Sequence, residues 1–253
     1  MSEHIIVETT DRVTKATITR PEKKNAITQA MYAALAEAII AYGESDEARA
    51  LVITGAGDMF TSGNDLRDFS TGGDGGDDLP PVARFLNAIR DCPKPIIGAV
   101  NGGAIGVGLT MLLHCDLVFA AESATLSAPF VSLGLVPEAA SSILLPAAVG
   151  VAVANDIFIT GRTLTAEEAH RYGLVSRVIP DAGFIAAIDA VALQVANAAP
   201  NAMRRSKSLV RHQQHVVAEH MDKEAAFFTE QLKSPDFAEV IAAKMQKRAP
   251  VFQ

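Results

Sequence analysis

NGGAIGVG, residues 101–108, follows the apolar run PIIGAV, residues 95–100. The run is short and uncharged, and it ends at a glycine cluster, so it reads as a buried strand. The glycine segment then predicts a loop that opens a helix through Leu113. A helix start leaves backbone N–H groups unpaired, and glycines let another group come close to them. The helix dipole also favours negative charge there. Three uses fit this pattern: a phosphate cradle, an oxyanion hole, or tight packing of a helix on a strand. A dinucleotide fingerprint fits poorly. Gly103, Gly106 and Gly108 give G-x-x-G-x-G, which reverses the usual order, and no Gly-Lys-Ser/Thr loop is present.

Working outward, a second strand-then-loop unit precedes the first. Ala50 to Thr54 is a short apolar strand, and the loop after it contains Phe60-Thr61-Ser62-Gly63-Asn64-Asp65. Alone, the first segment is equally well tight helix–strand packing, and the second reads better as an ordinary polar turn. Two such loops after successive strands can place two N–H groups on one oxygen, as stabilising an enolate or tetrahedral oxyanion requires.

The rest of the chain alternates in the same way. His4 to Glu8 and Val13 to Arg20 read as strands. Thr28 reads as the N-cap of a helix carrying Met31, Leu35, Ile39 and Tyr42 at helical spacing and ending at Gly43. The stretch STGGDGGDDLPP, residues 70–81, predicts a mobile surface loop. A helix follows to Asp91. Asp116 to Ala120, Ala124 to Ser127 and Leu174 to Ile179 are further strands. Pro137 predicts a first helical residue, with Glu138 in the first turn. From Asp181 onward the pattern is helical. The fold class is therefore α/β with a helical C-terminal extension, divided as a core over 1–200 and a helical region over 201–253.

Composition narrows the function classes. The chain has 253 residues, 49% of them hydrophobic and 20% charged, which suits a large buried core. The formal net charge of −7 argues against a nucleic-acid partner. No uncharged apolar run reaches membrane-spanning length, and the start has no signal-peptide pattern. Two cysteines, Cys92 and Cys115, imply no disulfide framework and fit a reducing compartment. The expectation is a cytoplasmic protein with no membrane partner. No His/Cys/Asp spacing suggests a metal.

Several motifs together resemble the crotonase, or enoyl-CoA hydratase/isomerase, superfamily. They are Arg20-Pro21 through Asn25-Ala26-Ile27, SGNDL from Ser62, KPIIGAVNG from Lys94, HCDLVFA from His114, SLGLVPEA from Ser132, and the segment from Gly161 through Val175. The order and spacing match over most of the chain. The resemblance implies a crotonase-like spiral of β-β-α units with a C-terminal trimerisation region, assembled as a homotrimer or a dimer of trimers. It implies an acyl-CoA substrate, with coenzyme A as part of that substrate and no separate cofactor. It places backbone oxyanion donors at Ser62 and Val107, the latter departing from the glycine common there. It points to Lys23, Lys24 and Ala26 for coenzyme A, to Asp65 and Leu66 for the adenine pocket, and to Lys244 and Lys247 for reaching a neighbouring subunit's coenzyme A. The loop over 70–81 would shape the acyl pocket.

The same resemblance sorts the possible reactions. A typical hydratase uses two glutamates, and the matching positions here are Thr110 and Phe130. Glu138 follows Val136-Pro137, and the run LVPEAASS resembles the peroxisomal-type 3-enoyl-CoA to 2-enoyl-CoA isomerases. One carboxylate can take the alpha proton and return it at the gamma carbon, with Phe130 helping to keep the site dry and the carboxyl basic. Without the family, Glu138 reads as a dipole-favoured glutamate at a helix start. Ser141 and Ser142 read as residues that pack or hydrogen-bond locally, and His114 and Asp116 as strand-edge residues. The expected function is isomerisation through Glu138. The alternatives are hydration or another thioester reaction, a noncatalytic acyl-CoA-binding protein, and a nicotinamide-dependent enzyme.

Overall fold

The computed structural model describes residues 2–65, 68 and 79–252. Residues 70–78 of the expected surface loop, and Leu66, lie outside the described residues.

The larger sheet has six strands in the order β1 (Ile5–Thr10), β2 (Val13–Ile18), β3 (Ala50–Gly55), β5 (Ile96–Val100), β7 (Leu117–Ala121) and β10 (Arg177–Ile179). The first two form an antiparallel hairpin, and the others run parallel. β3 and β5 are buried at every position, which is why they read as unbroken apolar runs. A smaller sheet holds β4 (Met59–Thr61), β6 (Gly103–Ile105), β8 (Thr125–Ser127) and β9 (Leu164–Thr165). Each turn of the chain adds one strand to each sheet: β3 then β4, β5 then β6, β7 then β8. That repeat is the β-β-α spiral.

Two long helices pack against one another beside the sheet. They are α1 (Gln29–Glu44), capped at its start by the Thr28 side chain, and α2 (Pro81–Asp91). The glycine segment contains β6 before it turns into a short helix, α3 (Val107–Thr110), and a 3₁₀ turn, Met111–His114. The expected uninterrupted loop-to-helix unit is thus broken by a strand, because β6 pairs between β4 and β8.

Helix α4 (Ser141–Val149) starts three residues later than Glu138, not at Pro137. The cause is two consecutive left-handed alanines, Ala139 at φ 61° and Ala140 at φ 55°. Each costs about 1 kcal/mol for an L-residue, and the turn holds because both alanines are buried in the core. Helices α5 (Val151–Thr160), α6 (Ala166–Arg171) and α7 (Phe184–Ala196) complete the core. The C-terminal helices are α8 (Pro200–Val210), α9 (Gln214–Gln231) and α10 (Pro235–Met245). Asp116 is more than a strand-edge residue. It binds Lys207 at 2.7 Å and Arg211 at 3.2 Å, fastening α8 to the sheet. No helix among the described residues is long and apolar enough to cross a membrane.

Candidate active site

The parallel register of the smaller sheet sets the geometry. Thr61 pairs with Ala104. Three residues beyond each partner stand Asn64 and Val107. Gly63, at φ +92°, packs against the other loop; a methyl group there would sit 2.9 Å from the Ile105 carbonyl oxygen. Glycine is required at this point both for its φ and for the close approach of the two loops.

Ser62 is not the free donor that was expected. Its N–H already donates to the Lys24 carbonyl at 3.0 Å, so that group is used by the fold. Asn25 makes this possible. It is fully buried, accepts from the Arg20 N–H at 2.8 Å, and donates to the carbonyls of Ala56 and Met59. That cross-brace presses the turn around Lys24 against the Ser62 loop. The open amide of the loop is that of Asn64, which donates to no acceptor among the described residues. The Asn64 side chain is held in turn by the hydroxyl of buried Tyr32.

Val107, the other expected donor, stands at the start of α3. It is the first residue of α3, so its N–H has no partner within the helix. Its side chain is buried, while the residue lines the same cleft as Ser62, Gly63 and Asn64. That cleft has a volume of about 1250 Å³.

Glu138 is partly buried beside this helix. The Thr110 hydroxyl donates to its Oε1. Val107 and Thr110 are one turn apart on α3, roughly 4.5 Å along the axis. One short helix therefore carries both an open amide and the anchor of the carboxylate. Burial pushes the Glu138 carboxyl up to about 7; the Thr110 hydrogen bond opposes the rise, and the negative charge of Glu224 adds to it. His114, read as a strand-edge residue, is buried instead and donates from Nε2 to the Ala139 carbonyl at 2.8 Å. Burial lowers its pKa to about 4, so it braces the turn as a neutral ring. The arrangement offers amide donors for an oxyanion and one carboxyl group whose pKa suits proton transfer near neutral pH.

Residues 8–253 match the family described as enoyl-CoA hydratase/isomerase. The chain belongs to that family. Enoyl-CoA delta isomerase 3, peroxisomal, of Mus musculus is 34% identical over 256 residues, covering 98% of this chain and 80% of the relative. Enoyl-CoA delta isomerase 2 of Rattus norvegicus is 39% identical over 215 residues, or 83% of this chain. The match covers only 55% of that relative's length. Among solved structures, an enoyl-CoA hydratase/isomerase from Pseudoalteromonas atlantica T6c superposes with a TM-score of 0.95 at 49% identity, covering 99% of this chain and all of that one. The crotonase fold is thereby shown.

In this member of the hydratase/isomerase family, the remaining candidates divide by location. Lys23, Ala26, Asp65 and Phe130 line the cleft. Asp65 is ion-paired with Arg20 at 2.7 Å. Lys24 is exposed and left-handed at φ 52°, and its carbonyl accepts the Ser62 N–H. Lys244 lines the cleft of its own chain, with Phe228 and Met245 from the same C-terminal region. Phe130 packs against Phe158, ring centroids 6.3 Å apart. Ser142 bonds across the fold to Glu224 and His220 instead of locally. Thr110, Asn64, Tyr32 and Asn25 are site residues that the sequence did not single out in these roles.

Proposed function

We propose that this chain is an enoyl-CoA isomerase that converts 3-enoyl-CoA to 2-enoyl-CoA, with Glu138 as its single base. The family and the isomerases among its relatives support this reading. The observation that carries it is the Glu138 carboxyl. It is held by one hydroxyl, has a pKa near 7, and stands beside the helix that opens with the Val107 amide.

The thioester oxygen accepts hydrogen bonds from the Asn64 and Val107 N–H groups. Glu138 takes a proton from the alpha carbon, and the electron pair moves onto the thioester oxygen as a dienolate. The same proton returns at the gamma carbon, the double bond settles between alpha and beta, and Glu138 is again a carboxylate. Donors fixed in advance favour the charged intermediate over the neutral substrate, which is what lowers the barrier. Lys23 and Lys244 on the cleft suit the phosphates of coenzyme A, which arrives as part of the substrate. The reaction as written uses no separate cofactor. Thr110 and Phe130 at the hydratase positions supply no second carboxylate to activate water.

A panel of 3-enoyl and 2-enoyl thioesters, run on wild type and Glu138→Gln, tests this. The expected result is formation of the conjugated product by wild type and its loss in the variant. Isomerisation retained in Glu138→Gln sinks the assignment of the base. Water addition at a comparable rate favours a hydratase, and coenzyme A binding without turnover favours a noncatalytic protein.

A further inference from the structure

A second carboxylate approaches the base-bearing turn from the C-terminal helical region. Glu224, on α9, is only 6% exposed. Its Oε1 accepts from the Ser142 N–H at 2.9 Å and from the Ser142 hydroxyl at 2.5 Å. His220, one helical turn earlier, stands 2.7 Å from the same hydroxyl and 3.5 Å from the carboxylate. The other oxygen, Oε2, is buried with no protein partner. Glu224 bonds the serine and not the far nitrogen of His220, so the three are not arranged as nucleophile, base and orienter. Ser142 lies in the first turn of α4, where an unpaired N–H group and the helix dipole welcome a carboxylate. That helix begins directly after the left-handed pair that follows Glu138. Phe228, one turn beyond Glu224 on α9, reaches the substrate cleft.

We propose that Glu224 is a positioning residue for Glu138: its carboxylate pins the start of α4, and its charge stands next to the turn that carries the base. The proposal rests on the reading of Glu138 as the base. Like charges in a dry setting oppose one another's ionisation, so Glu224 helps keep the Glu138 carboxyl near neutrality. Among the described residues, Tyr32 from α1 and Glu224 from α9 act on Glu138 electrostatically, and His114 from the 3₁₀ turn bonds the carbonyl of the next residue, Ala139. Among the described residues, those that act on Glu224 are His220 and Glu138.

The test is the pH profile of kcat for 3-enoyl-CoA isomerisation in wild type, Glu224→Gln and Ser142→Ala. Glutamine keeps an acceptor for Ser142 but removes the charge. Its acid limb should move to lower pH, with KM unchanged, so that the rate at pH 6 relative to the plateau rises roughly twofold or more. Ser142→Ala keeps the charge and loses the hydroxyl's bonds to Glu224 and His220, so its limb should stay in place while thermal stability falls. An unmoved limb in Glu224→Gln, or an equal shift in Ser142→Ala, overturns the proposal. Repeating Glu224→Gln in a His220→Gln background removes the neighbouring imidazole; a shift that vanishes there also overturns it. Activity retained in Glu138→Gln would instead defeat the underlying reading, so the two failures are distinguishable.

Discussion

Thr110 and Glu138, 28 residues apart in the chain, share a hydrogen bond in which the threonine hydroxyl donates to the carboxylate Oε1. The bond favours the ionised form, against the burial that disfavours it. Thr110→Val keeps the shape and removes the donor. The Glu138 carboxyl should then titrate above about 7, and the acid limb of the kcat profile should move to higher pH. A neutral hydrogen bond contributes about 0.5–1.5 kcal/mol and one to a charged group more, so the rate at pH 7 should fall roughly 2- to 10-fold with little change in KM. A limb that stays in place would show that the bond does not act on the base.

The raised carboxyl of Glu138 also predicts how stability depends on pH. Its folded pKa of about 7 lies above the ordinary glutamate value of about 4.3. The folded state therefore binds the proton more tightly than the unfolded chain does. This stabilisation is fully present below pH ~4.3 and is lost as the pH rises through ~7. Above that, the ionised group costs at most about 4 kcal/mol. Glu138→Gln should melt at a higher temperature than wild type at pH 8, and the difference should shrink by pH 5. Scanning calorimetry at both pH values checks this; a difference independent of pH contradicts it.

Val107 is the first residue of its helix, where proline is tolerated and the lost N–H has no role in the fold. Val107→Pro should therefore keep the thermal midpoint near wild type while removing one oxyanion donor. Loss of one such donor costs roughly 10²–10³ in kcat. If kcat survives in a folded variant, the Val107 amide does not stabilise the intermediate.

Tyr32 donates its hydroxyl to the Asn64 side chain and thereby fixes the loop that presents the Asn64 amide. Tyr32→Phe leaves that side chain without its donor, at a cost of about 1 kcal/mol in stability. The loosened loop should lower kcat more than it raises KM. A variant with wild-type kcat would limit the bond to a structural role.

Much of the framework was legible in the order of residues. The apolar runs at 50–54 and 95–100 became β3 and β5, because strands buried on both faces need no alternation. The loops after them landed on one cleft. The smaller sheet was not foreseen in full, because β4, β6 and β8 are three residues each and too short to show a period.

The details of the site depended on partners far away in the chain. Which amide of the SGND loop is open was settled by the Lys24 carbonyl, which engages Ser62 and leaves Asn64 free. The late start of α4 came from Ala139 and Ala140, whose type gives no sign of a left-handed turn. The sequence by itself determined the alternation of strands and helices, the family, and Glu138 as the acidic residue to watch. Only the tertiary structure decided that Thr110 holds that carboxylate, that Asn64 offers the amide, and that Glu224 stands behind the turn. Periodicity is written in neighbouring residues, whereas the pairing of buried polar groups is set by segments that meet only when the core closes.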